Sequence, residues 1–203
     1  MDPATRRNLE LDESHADNPD ATLAGVLDHT ATAMGGRELR RWLHRPLRDR
    51  LVLRERYQAI DTLIADGSYT SLKEEFAAVG DIERVLARVA LRSARPRDLE
   101  QLRSALLRLP AIQALVAPLD APLIARLRAR VATHPRIFTL LERAIVESPP
   151  HVMRDGGVIA PGYDTELDEL RAISTNTDQF LIDLERRERE RTGLSSLRVR
   201  FNR

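Results

Sequence analysis

The stretch Leu184-Glu185-Arg186-Arg187-Glu188-Arg189-Glu190-Arg191-Thr192-Gly193-Leu194-Ser195-Ser196-Leu197-Arg198-Val199-Arg200-Phe201 decides the reading of this chain. Its first half has no apolar face. A helix that is polar all round either crosses solvent or is laced by i,i+4 ion pairs, and Glu185 to Arg189 and Arg186 to Glu190 supply two such pairs. Upstream, Pro161-Gly162 breaks the chain, and Asp164 or Thr165 is placed to cap a new helix. Leu167, Leu170, Ile173, Phe180, Leu181 and Leu184 then form an apolar stripe that runs into the charged stretch. Gly193 provides a C-terminal stop. The pattern predicts one long helix within 161–193, roughly 40 Å at 1.5 Å per residue, that leaves a core and projects into water. Beyond it, Leu197, Val199 and Phe201 alternate with Arg198 and Arg200, which is strand periodicity. An isolated strand is unstable, so the chain reads as an excised piece of a larger protein with a truncated β-strand at 194–203.

Upstream of the arm the pattern is helical throughout. A polar N-terminal segment, 1–21, carries only Leu9 and Leu11 as large apolar residues and an acidic stretch from Asp12 to Asp20. From 22 to 160 the chain reads as a helical core. Thr22 to Leu27 gives one or two turns, and Gly35-Gly36 precedes a helix from Arg37 to His44 that Pro46 closes. Asp49 is placed to cap a helix bearing Leu53, Tyr57, Ile60 and Ile64, and Ser68 or Ser71 starts the next. Asp81 caps a third, and Pro96 opens a fourth that Pro110 is expected to kink or end. Further runs cover Ala121 to Val131 and Ile137 to Val146. The fold class is all-α, with a strand only at the very end.

Composition agrees. Leu, Ala and Arg dominate the 203 residues and aromatics are scarce, which favours helices packed by aliphatic side chains. Net charge is +1, so bulk charge argues for neither nucleic acid nor membrane. Lys73 is the sole lysine. With no cysteine, disulfides and thiolate metal sites are excluded. No apolar run approaches a membrane span and there is no signal-peptide pattern, so a cytoplasmic location without membrane attachment is expected.

Catalytic motifs are missing at the level of spacing. The histidines His15, His29, His44, His134 and His151 form no metal-site pair. No G-x-S-x-G elbow and no glycine-rich phosphate loop precede a helix, and Gly156-Gly157 reads as a turn. Asp164, Glu166, Asp168 and Glu169 cluster where they complement a helix N-terminus. No catalytic, cofactor or metal residue is therefore assigned. Two basic features remain. Arg37, Arg40, Arg41, His44 and Arg45 share much of one helical face, either a phosphate stripe or, as expected, a solvated face with local ion pairs. Arg198 and Arg200 share one face of the terminal strand and are the candidate phosphate-backbone contacts, although arginines on an edge strand also suppress aggregation.

The run Leu27-Asp28-His29-Thr30-Ala31-Thr32-Ala33-Met34-Gly35-Gly36-Arg37-Glu38-Leu39-Arg40-Arg41-Trp42-Leu43-His44-Arg45-Pro46-Leu47 resembles the MutS family of DNA mismatch-recognition proteins. Thr5-Arg6-Arg7-Asn8-Leu9-Glu10, Gly80-Asp81-Ile82-Glu83-Arg84, Ala94-Arg95-Pro96-Arg97-Asp98-Leu99 and Asp155-Gly156-Gly157-Val158-Ile159 fit it in the same order, as does the closing run 193–202. The acidic loop Asp12 to Asp20 matches no motif. The resemblance implies the first part of a helical core, or lever region, ending where a clamp begins. Full-length members are ATP-dependent homodimers that use ATP and Mg²⁺, bind mismatched double-stranded DNA and work with a MutL-type partner. The family's mismatch-reading aromatic motif and ATP-binding loop have no counterpart here, so the implied role is mechanical, with no cofactor and no enzymatic step in this chain. Asn8, Asp28, Thr30, Gly35, Arg37, Trp42 and Pro46 are implied to be architectural. The alternatives are a helical protein-interaction scaffold and a MutS relative acting in recombination.

Overall fold

The computed structural model describes residues 2–16, 18–175 and 177–199. Among them the chain is helical with no β-sheet, and it divides into two compact units, Met1–Val158 and Ile159–Arg203. In the first unit α1 spans Pro3–Asn8, α2 Leu23–Leu27, α3 Ala33–His44, α4 Arg50–Asp66, α5 Ser68–Val79 and α6 Ile82–Ala90. The long α7 spans Pro96–Val116, followed by α8 Pro122–Arg128 and α9 Pro135–Ala144. Short 3-10 turns lie at Pro19–Ala21 and Met153–Asp155. The second unit holds α10, Thr165–Thr175, and α11, Thr177–Thr192.

Local chemistry sets most of these boundaries. Asp2, Thr22, Thr32, Asp49 and Asp81 each accept an amide from the first turn of the helix they precede. Each such cap satisfies a donor that the helix leaves orphaned, at a typical gain of about 1 kcal/mol. Pro3, Pro96, Pro122 and Pro135 open their helices, where a missing N–H costs nothing.

The core of the first unit is the packing of α5 on α7. Leu72 and Val79 of α5 meet Ala105 and Ile112 of α7, with Met34, Leu63, Ile82 and Leu109 closing around them. A second cluster joins α4 to α8 through Ala59, Leu119, Ala121 and Ile124. Leu63 and Val116 touch both clusters, so the two form one connected core.

Two sequence expectations change here. Pro110 does not end α7, since the helix continues to Val116. Ala105 and Leu106 before the proline and Ile112 after it are all buried, and that burial outweighs the one backbone bond Pro110 removes. The polar N-terminal segment also forms a short helix. Asp2 caps α1, and Leu11 is buried where Leu23 and Ala24 donate their amides to the Glu10 and Leu11 carbonyls at 2.9 and 2.8 Å. Gly35-Gly36 lies inside α3 rather than before it, because Thr32 caps the helix one turn earlier.

In the second unit, Asp164 accepts the Leu167 amide at 2.9 Å and so is the cap of α10. Asp168 takes the Gly162 amide and pairs with Arg171, which reaches the Ile159 carbonyl at 2.9 Å. Asn176, within the expected long arm, lies outside the described residues. Leu194–Val199 carries a turn at Ser195-Ser196 and joins no β-ladder among the described residues, and Arg200 and Phe201, where the expected strand continues, lie outside them. A lone strand has no ladder to join, which is reason enough for the difference.

Candidate functional site

Arg37, Arg40, Arg41 and His44 on the basic face of α3 meet this chain's own carboxylates, while Arg45, just past the helix, makes no ion pair among the described residues. Arg37 grips Asp81 with two bonds of 2.8 Å and also meets Glu83. Arg40 pairs with Asp28 at 2.9 Å, and Arg41 with Glu38 at 2.7 Å. His44 places Nε2 2.7 Å from Asp12, while its Nδ1 lies 3.4 Å from Arg6. The bidentate hold of Arg37 keeps the Asp81 carboxyl below the usual carboxylate range, and the same contact raises the Arg37 guanidinium. Asp81 is at the same time the cap of α6, accepting the Arg84 amide. One carboxylate thereby fixes the start of α6 and ties it to α3. Little basic charge on α3 is left over for a phosphate.

A second knot lies under α3. Asp28 accepts the Thr30 amide and hydroxyl at 3.2 and 2.6 Å, and the Arg40 guanidinium on its other oxygen. The Thr30 hydroxyl, followed by its amide and by Arg40, holds the Asp28 carboxyl below its ordinary value. A Cβ at Gly36 would stand 2.9 Å from that carboxylate and 3.1 Å from Arg40. A larger residue there would push the Asp28 carboxylate out of this position. Gly80 is constrained differently. Its φ is 70°, and a Cβ there would overlap the Gln101 side chain of α7. Trp42 donates its indole N–H to Glu38 at 2.6 Å, and Arg56 of α4 lies 3.8 Å above its ring. These contacts give Asp28, Thr30, Arg37 and Trp42 architectural roles.

Sequence reasoning missed one guanidinium of the core entirely. Arg103 of α7 donates to the Ile145 carbonyl at 2.7 Å, to Val146 at 3.3 Å and to Glu147 at 3.0 Å. It ties down the segment that leaves α9, whose Val146 amide bonds the Val158 carbonyl at 3.1 Å. Carbonyl targets carry no sequence signature, so nothing in the pattern pointed to it.

Charge along α11 is arranged partly as expected. Glu185 and Arg189 do pair, but Arg186 turns to Asp183 at 3.1 Å and not to Glu190. The charged stretch is not simply solvated either. Glu185 accepts the Val199 amide at 3.0 Å, and Arg189 donates to the Leu197 carbonyl at 2.9 Å. The segment after the helix thus lies back along it. Arg198, between these two contacts, is exposed with no ion pair among the described residues. Arg200, the other candidate DNA contact, lies outside the described residues. Among the described residues no group of three or more acidic or imidazole side chains is placed to hold a metal ion. No helix among them is long and apolar enough to cross a membrane.

The family model described as MutS domain III matches residues 4–203.

Proposed function

Because this chain belongs to the MutS family of DNA mismatch repair proteins, spanning its domain III, we propose that it works as a lever. In the parent protein it would pass the nucleotide state of a separate ATPase region to a clamp that closes on mismatched double-stranded DNA. Coupling of that kind needs a stiff element with two placements and not a reacting group. ATP and Mg²⁺, a second copy of the chain and a MutL-type partner belong to this reading as features of the whole protein. No catalytic step is assigned to the residues of this chain. Arg198 remains the candidate contact to the DNA backbone, since it is exposed and unpaired among the described residues.

The observation that carries the reading is how the second unit keeps its shape. Helix α10 buries no residue, yet it is capped by Asp164 and laced by Asp168 with Arg171. Along α11, Asp183 pairs with Arg186, Glu185 with Arg189 and Glu188 with Arg191. Stiffness that comes from within a helix travels with it when it moves, whereas stiffness borrowed from a core does not.

The test is Ile173→Pro in the intact parent protein. Proline in a helix interior costs about 3 kcal/mol and breaks the hydrogen-bond ladder. Mismatch binding is expected to persist while ATP-triggered release from the mismatch is lost. Normal ATP-triggered release in that variant would overturn the lever.

A further inference from the structure

Glu185 and Arg189 sit one turn apart on α11, and each uses both ends of its side-chain head. Glu185 accepts from Arg189 Nη2 on Oε1 and from the Val199 amide on Oε2. Arg189 gives Nη2 to Glu185 and Nε to the Leu197 carbonyl. The side chains and the 197–199 backbone thus close a ring of contacts. The chain reaches this position by a reversal. Gly193, with φ of 71°, ends the helix, and the Leu197 amide bonds the Leu194 carbonyl at 3.2 Å across a turn.

The geometry of this return has a repeat that fits. Residue 197 stands opposite 189 and residue 199 opposite 185, so the segment runs antiparallel to the helix. Four helical residues rise about 6.0 Å, and two extended residues span about 6.6 Å. The carbonyl of one residue and the amide two residues later point to the same side of an extended chain, where a neighbouring strand would take both. Here a carboxylate meets the amide and a guanidinium meets the carbonyl. Leu197 and Val199 are half-buried while Arg198 is exposed, which matches the alternation of an extended chain.

We infer that the Glu185–Arg189 pair acts as a substitute strand edge, setting the register in which the segment after α11 leaves the helix. These two are positioning residues. A bond to a charged group is worth roughly twice a neutral one, and the pair orients each partner for its backbone target. In one respect the inference rests on the lever reading, since it makes this pair the point where movement of the helix passes to the segment beyond. The latch itself is tested without that reading.

The experiment is amide hydrogen exchange, read by NMR on the isotope-labelled 203-residue chain. Glu185→Ala, Arg189→Ala and Glu185→Gln are compared with the exposed control Glu190→Ala. The readout is the protection of the Val199 amide relative to the Leu184 amide inside α11, which corrects for any fraying of the helix. Glu185→Ala is expected to lower that ratio at least ~10-fold, and Arg189→Ala by less. Glu185→Gln keeps an acceptor oxygen and is expected to retain part of it, and Glu190→Ala all of it. A ratio unchanged in Glu185→Ala, or a Val199 amide unprotected in the unaltered chain, overturns the inference. ATP-triggered release in the parent protein reads the lever and Val199 exchange reads the latch, so either can fail alone.

Discussion

Helices α5 and α7 bury Leu72, Val79, Ala105 and Ile112 against one another, whereas α10 buries nothing and no described side chain of α11 is fully buried. Both regions are built from Leu, Arg and Glu in helical order, but burial holds the first and caps with short-range ion pairs hold the second. The contrast teaches where each region is vulnerable. A core loses free energy in proportion to the apolar surface removed, and it ignores salt. A charge-laced helix loses a few tenths of a kcal/mol per pair, and salt reaches every pair.

The largest effect is expected from Leu72→Ala, which opens a cavity between α5 and α7. It should cost about 2–4 kcal/mol in urea unfolding followed at Trp42, the sole tryptophan, which lies in the same unit. A loss below ~1 kcal/mol would break the comparison, because the site would then be loosely packed.

Next comes Asp81→Ala, where the first unit depends on charge after all. Losing the α6 cap and the Arg37 contact should cost about 1–3 kcal/mol by the same assay. Its pH dependence sharpens the point. The folded carboxyls of Asp28 and Asp81 lie below their ordinary 3.8. Their contribution is therefore complete above that value and is lost as pH falls through the lowered folded values. Unfolding titrations below pH ~4 should show the native chain losing stability faster than the Asp81→Ala variant, and parallel acid limbs would refute this.

The smallest effect is expected from salt. In ~1 M NaCl the screening length is about 3 Å, so each exposed ion pair along α11 should weaken. Amide protection within α11 should fall modestly while the Trp42 transition falls by a smaller fraction. Equal sensitivity of both regions would remove the distinction drawn between them.

Much of this was legible in the residue order. Thr22, Asp49, Asp81 and Asp164 announce helix starts because a short acceptor side chain reaches only its own first turn. The run 27–47 gives the family resemblance, and the family match spans residues 4–203. Gly193 marks the end of α11 for the same local reason, its positive φ being open to glycine. The arginine face of α3 was visible as a stripe, and the expectation of ion pairing was right, yet most of its partners were not local. Arg37 finds Asp81 forty-four residues on. The terminal strand was read from alternation that is real, but alternation describes where side chains point and not whether a neighbouring strand exists.

What the sequence determined alone is therefore the helical class, most of the caps and stops, and the family, since helices are closed by bonds from residue i to i−4 and caps reach no further. The tertiary structure decided the rest. It carried α7 through Pro110 by burying residues on both sides of it, gave Asp81 to both α3 and α6, and turned Glu185 and Arg189 from a solvent-facing pair into partners of the 197–199 backbone. In each case at least one partner lies well beyond one helical turn. Which of several acceptable partners a side chain meets at that range is fixed by packing, and packing is a property of the folded chain and not of its order.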